Sequence, residues 1–201
     1  YAPNHLVRAA EAGLLSPYKS PDLAFVVTWV IPDHILRVAG EGGWLGSSPR
    51  YELRDGVPRF TGSFDDYRYS HPVESLRHLA SEVFPFLKPV GRSQQDQVDL
   101  FVALLVRLQS LVREQFGVPL VVVSSWAGED DASSIIGTAP GKLRAAGLRV
   151  IRVNDVTSGY DVSKLLIPHN GHPSAFQHEL IARELHRVIL GPGAGGKTSI
   201  Q

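Results

Sequence analysis

The sequence predicts an α/β fold built on a mainly parallel sheet, and three observations carry that expectation. Helical and strand patterns alternate along the chain. The strand-like runs are nearly continuous in apolar character, as in DLAFVVTWVI at 22–31 and LVVVSS at 120–125, which suits strands covered on both faces. A shorter alternating stretch is punctuated by Asp55-Gly56, a pair that tolerates the positive φ of a tight hairpin turn.

Each element follows from its local pattern. Pro3 and Asn4 precede a helical stretch from Leu6 to Leu15. The segment Asp22 to Ile31 is the first buried strand. Pro32 ends it, and Asp33 to Ala39 forms a short helix. Tyr51 to Phe60 reads as a hairpin, inserted at about 50–62. Pro72 to Phe84 and Gln94 to Phe116 are helical. The second carries Val98, Phe101, Val102, Leu105, Leu108 and Val112 as a stripe of helical period, closed by Gly117 and Pro119. Leu120 to Ser125 is the second strand and Leu148 to Val153 the third, with an interrupted helix, Asp131 to Ala146, between them. The last helix, Ser174 to Leu190, buries Phe176, Leu180, Ile181, Leu185 and Val188. Residues 1–190 thus read as one domain, and the Gly-rich tail 191–201 as flexible.

Composition narrows the function. The chain has 201 residues, 43% hydrophobic, and its Lys and Arg balance its Asp and Glu. That suits a single buried core, and a neutral overall balance does not suggest a nucleic-acid partner. No apolar run is long enough to span a membrane. There is no cysteine, which excludes disulfides, thiolate metal sites and a cysteine nucleophile.

The most informative segment is His169-Asn170-Gly171-His172-Pro173-Ser174-Ala175. Pro168 and Gly171 place it in a loop, and Ser174 is suited to cap the next helix. A histidine after the last strand lies where α/β sites gather, and the residue type titrates near neutrality, as a general base requires. A surface histidine beside a helix cap is the plainer interpretation, and spacing alone favours it.

Ile167 to Ala175, followed by Glu179-Leu180-Ile181-Ala182, resembles the final block of SGNH/GDSL-type acyl-ester hydrolases. Val26 to His34, with Arg37 following, is similar to that family's third block. Tyr1-Ala2-Pro3-Asn4 is similar to the stretch after its second-block glycine. The resemblance implies a three-layer, flavodoxin-like, doubly wound sheet and a Ser-His mechanism on a small-molecule or glycan acyl ester, without a cofactor. It implies His172 as the base and a Gly-Asp-Ser nucleophile block expected upstream of Tyr1, so that the sheet is incomplete with three strong strands.

Two substitutions depart from the family pattern. The acidic position before the histidine holds Asn170, or His169 one residue earlier. An amide orients an imidazole without stabilising its cation. Asp161 or Asp155 as the acid, a dyad, or an impaired site are the alternatives. The third block ends in Asp33-His34, where the family has Asn-Asp. A carboxylate repels an oxyanion, so Asp33 is suited to capping and His34 to donating. A non-catalytic glycan- or partner-binding module is the competing expectation.

Other signals are weaker. Residues 191–198 match the phosphate-loop pattern G-x-x-x-x-G-K-[ST], but a helix precedes the match where a strand is needed. A nucleotide-binding tail is therefore a remote alternative. His169, His172, His178 and His186 lack a tight chelating pair and suit helix-surface positions. Glu129-Asp130-Asp131 suits a solvated loop, and Trp29 and Trp44 suit either core or groove.

Overall fold

A computed structural model describes residues 2–41, 46–73, 75–76, 80, 92–125, 134–170 and 172–191. Three parallel strands form the sheet: β1 (Val26–Val30), β4 (Leu120–Ser124) and β5 (Arg149–Arg152), in the order β1-β4-β5. Central β4 is buried along its whole length, as its unbroken apolar run predicts. β1 is shorter than its apolar run. Its outer edge has no partner among the described residues, and Val27 is 38% exposed.

Alternation along the strands sorts the core into two faces. Val26, Val30, Leu120, Val122 and Val150 point to one side. There they meet α1 (Pro3–Glu11), α2 (Asp33–Ala39), α4 (Gln94–Phe116) and α5 (Ala139–Ala145). Trp29 and Val123 point to the other side and meet Val153, Ile181 and Leu185. Val153 opens α6 (Val153–Thr157), and Ile181 and Leu185 belong to α8 (Ala175–Leu190). Among the described residues helices thus cover both faces, one with four helices and the other with the final helix and the short α6.

The hairpin is β2 (Pro49–Arg54) and β3 (Val57–Ser63), a separate two-stranded sheet. Asp55 and Gly56 take φ of 53° and 75°, the left-handed pair of a tight hairpin turn. It packs on α1 and α4 instead of extending the main sheet. Tyr51 is buried and donates to Glu11 on α1 at 2.8 Å, while Glu11 faces Arg107 on α4 at 3.4 Å. Three elements are tied through one carboxylate.

Helix ends follow from their caps. α3 (Phe64–Ser70) and α4 both begin with a reciprocal Ser-x-x-Asp box, Ser63 with Asp66 and Ser93 with Asp96. Gly117 ends α4 at φ 72°. Gly40 ends α2 in the left-handed region, and a Cβ there would collide with the Phe64 ring, so only glycine lets the start of α3 approach.

Several expectations are corrected. α1 begins at Pro3, because proline suits the first turn of a helix, and it ends at Glu11. Short helices α3, α6 and α7 (Val162–Leu165) occupy stretches too brief to show periodicity. Between β4 and β5, the described helical residues are a one-turn Ile136–Thr138 segment and α5. The expected helix at 72–84 falls mostly outside the described residues, as do Trp44 and Glu129-Asp130-Asp131. No helix among the described residues is long and apolar enough to cross a membrane.

Candidate active site

The direction of α8 locates the histidine loop. Arg149 opens β5, and its guanidinium donates to the Val188 carbonyl near the end of α8 at 3.3 Å. Trp29, near the end of β1, meets the His178 ring edge-on at 5.6 Å in the first turns of α8. The helix therefore runs against the strands and starts at their carboxyl ends. That is the edge where open α/β sheets place their sites. The loop preceding α8 lies at this edge, and so does the start of α2, which follows β1 after two residues.

The loop backbone is pinned. Leu166 and Pro173 form an isolated antiparallel bridge. Ile167 N–H donates to the His172 carbonyl at 2.8 Å, and Ser174 N–H to the Leu165 carbonyl at 2.8 Å. Ser174 caps α8 as its sequence position predicts. Its hydroxyl accepts from Gln177 N–H and donates to the Lys164 carbonyl. Between these ties, Asn170 N–H closes a turn on the Ile167 carbonyl. Pro168 holds the second position of that turn, and His169 the third at φ 61°, the type II pattern. His169 thus occupies a left-handed position that favours glycine. The His172 residue is exposed, on a fixed backbone.

The other predicted residues divide. His34 lies in the first turn of α2, 8% exposed, with Nδ1 buried and unpartnered among the described residues. Burial, with the Arg37 cation adding to it, lowers its pKa from 6.5 to about 4, so the ring is neutral at physiological pH. Asp33 is the first residue of α2, and its side chain pairs with Arg37 at 3.3 Å, so it does not cap the helix. Pro32 stands at the cap position, without a side-chain hydrogen bond. Asp161 is used as the cap of α7, accepting from Ser163 N–H at 2.9 Å, which holds its carboxyl below the usual range. Asp155 faces Arg144 at 3.8 Å and Arg152 at 3.7 Å. Among the described residues no hydrogen bond or ion pair joins the His172 ring to Asn170, His169, Asp155 or Asp161.

The His172 loop and the Asp33-His34 pair thus lie at the same edge of the sheet, on elements that cover opposite faces, while both candidate acids are engaged elsewhere. The N-terminal stretch Ala2, Pro3 and Asn4 is buried, and α1 touches α2. Asn4 donates to the Pro49 carbonyl at 2.7 Å and keeps its Oδ1 buried without a partner among the described residues. One polar residue went unnoticed in sequence: Gln177, 6% exposed, with Oε1 buried and unpartnered among the described residues. Its signal was available, since it stands four residues before Ile181 on the apolar stripe of α8.

Among the described residues no group of three or more His, Asp or Glu could hold a metal ion. α8 runs to Leu190, so a helix leads into the phosphate-loop match; residues 192–201 lie outside the described residues. No protein-family model, no curated protein and no solved structure matches the chain.

Proposed function

We propose that the chain is an SGNH-type acyl-ester hydrolase domain, doubly wound, in which His172 is the general base. The observation that carries the reading is an exposed histidine on a pinned loop at the carboxyl edge of a parallel sheet. The strand order adds support, because the edge of β1 that has no partner among the described residues is where a nucleophile-bearing strand would add. On this reading a serine in a Gly-Asp-Ser context, outside residues 1–201, attacks the acyl carbonyl. His172 accepts the serine proton and returns it to the leaving alkoxide. Backbone amides hold the tetrahedral oxyanion, and Asp33, already paired with Arg37, takes no part as a donor.

The test is hydrolysis of p-nitrophenyl acetate by the intact protein and its His172→Ala variant. The expected result is turnover that falls by at least about 10³-fold in the variant. Absent turnover in the parent protein, or an unaffected variant, would remove the assignment. A second reading, a non-catalytic module of the same architecture, is favoured by one observation: both candidate carboxylates near His172 in sequence serve other groups.

A further inference from the structure

We infer that Gln177 is a ligand-contacting residue of the His172 site, presenting its side-chain amide to the carbonyl or carboxylate oxygen of an acyl group. The inference rests on the hydrolase reading for its substrate class and on the structure for its position.

Gln177 lies in the first turn of α8, five residues beyond His172. Its backbone N–H donates to Ser174 Oγ, the cap that closes the histidine loop. Residues four apart share a helix face, and Ile181 packs on Val123 and Val153. Gln177 therefore sits on the sheet-facing side of α8. Because the helix runs against the strands, its first turn lies at the strand ends, on the same edge as the His172 loop and the start of α2.

Hydrogen bonding then sets its orientation. The residue is 94% removed from solvent, yet its carboxamide has no partner among the described residues. Oε1 is wholly buried, whereas Nε2 is not among the buried unpartnered atoms, so the amide nitrogen is the end that reaches the surface. The opposite orientation would bury an unpaired NH₂ group, the rarer state in folded proteins. A carboxamide on an apolar stripe is costly where leucine would fit. What the position gains is a neutral N–H donor at the sheet edge. Asp33 cannot supply one, being a carboxylate held by Arg37.

Two measurements on the intact protein test this. In the first, acetate is titrated while the Gln177 side-chain NH₂ cross-peak is followed by NMR, the peak being assigned by its loss in Gln177→Leu. A saturable shift is expected. In the second, Gln177→Leu and Gln177→Glu are assayed on p-nitrophenyl acetate. Turnover should fall by about 10²-fold in both with KM little changed, as for loss of an oxyanion donor. The melting temperature of Gln177→Leu should stay level or rise, because an unsatisfied buried polar group is removed. A stationary cross-peak, or unchanged kinetics in an active parent, overturns the assignment of Gln177. If the parent hydrolyses no ester but the cross-peak still shifts, the Gln177 contact stands and the hydrolase reading falls.

Discussion

His34 makes the chain acid-sensitive in a way that can be isolated. The imidazole is buried beside Arg37, and its pKa falls from 6.5 to about 4. Above pH 6.5 the ring is neutral in both folded and unfolded chains and leaves stability unchanged. Between 6.5 and about 4 the unfolded chain binds a proton that the folded chain refuses, so stability falls with pH. Below about 4 both forms are protonated and the loss is complete. At about 1.4 kcal/mol per pH unit, the gap is worth about 3 kcal/mol, a large part of the roughly 5–15 kcal/mol that holds a typical domain. The perturbation is His34→Gln, which keeps a polar group and cannot titrate. Urea unfolding of both proteins, from about pH 7 down to about pH 4, gives two curves of stability against pH. Their difference should narrow or reverse by about 3 kcal/mol across that range in favour of the variant. His5, whose pKa burial also lowers, is common to both and cancels. Parallel curves would refute the reasoning, since they would mean that the His34 environment accepts the charge.

Two further outcomes follow from the contacts described. Tyr51→Phe removes the hydroxyl that donates to Glu11, a hydrogen bond to a charged acceptor inside a buried junction; the expected cost is about 2 kcal/mol, seen as a fall in Tm of about 4–8 °C. Asp161→Asn keeps a side-chain oxygen able to cap α7 and removes the charge; turnover should stay within about twofold, whereas loss of a triad acid costs about 10⁴-fold.

The long and strongly patterned elements were legible in sequence. α4 spans Gln94–Phe116 as its stripe predicts, and the Asp55-Gly56 turn joins the strands expected of it. Ser174 caps α8 because a serine before an apolar helical run has few better uses. The short helices were not legible, since α7 has four residues and periodicity needs several turns. The Ser63-Asp66 box that starts α3 could have revealed that helix, because a Ser-x-x-Asp spacing carries the capping signal on its own. Of the site, the His172 loop could be read from its punctuation. The commitments of Asp155 to two arginines and of Asp33 to Arg37 could not, because they depend on side-chain geometry.

The order β1-β4-β5 also has a consequence for how the chain comes off the ribosome. Val26 pairs with Leu120, so β1 is made about 90 residues before its only described neighbour. At about 5–20 residues per second, that strand waits roughly 5–20 s before β4 exists to receive it. Closing so long a loop is entropically slow to reward, while β4 and β5 are joined across a much shorter connection. Synthesis therefore keeps this apolar five-residue segment apart from β4 for about half of the time that residues 1–190 take to emerge. Slow translation across the 31–119 stretch would lengthen the interval in which VVTWV is open to a wrong partner.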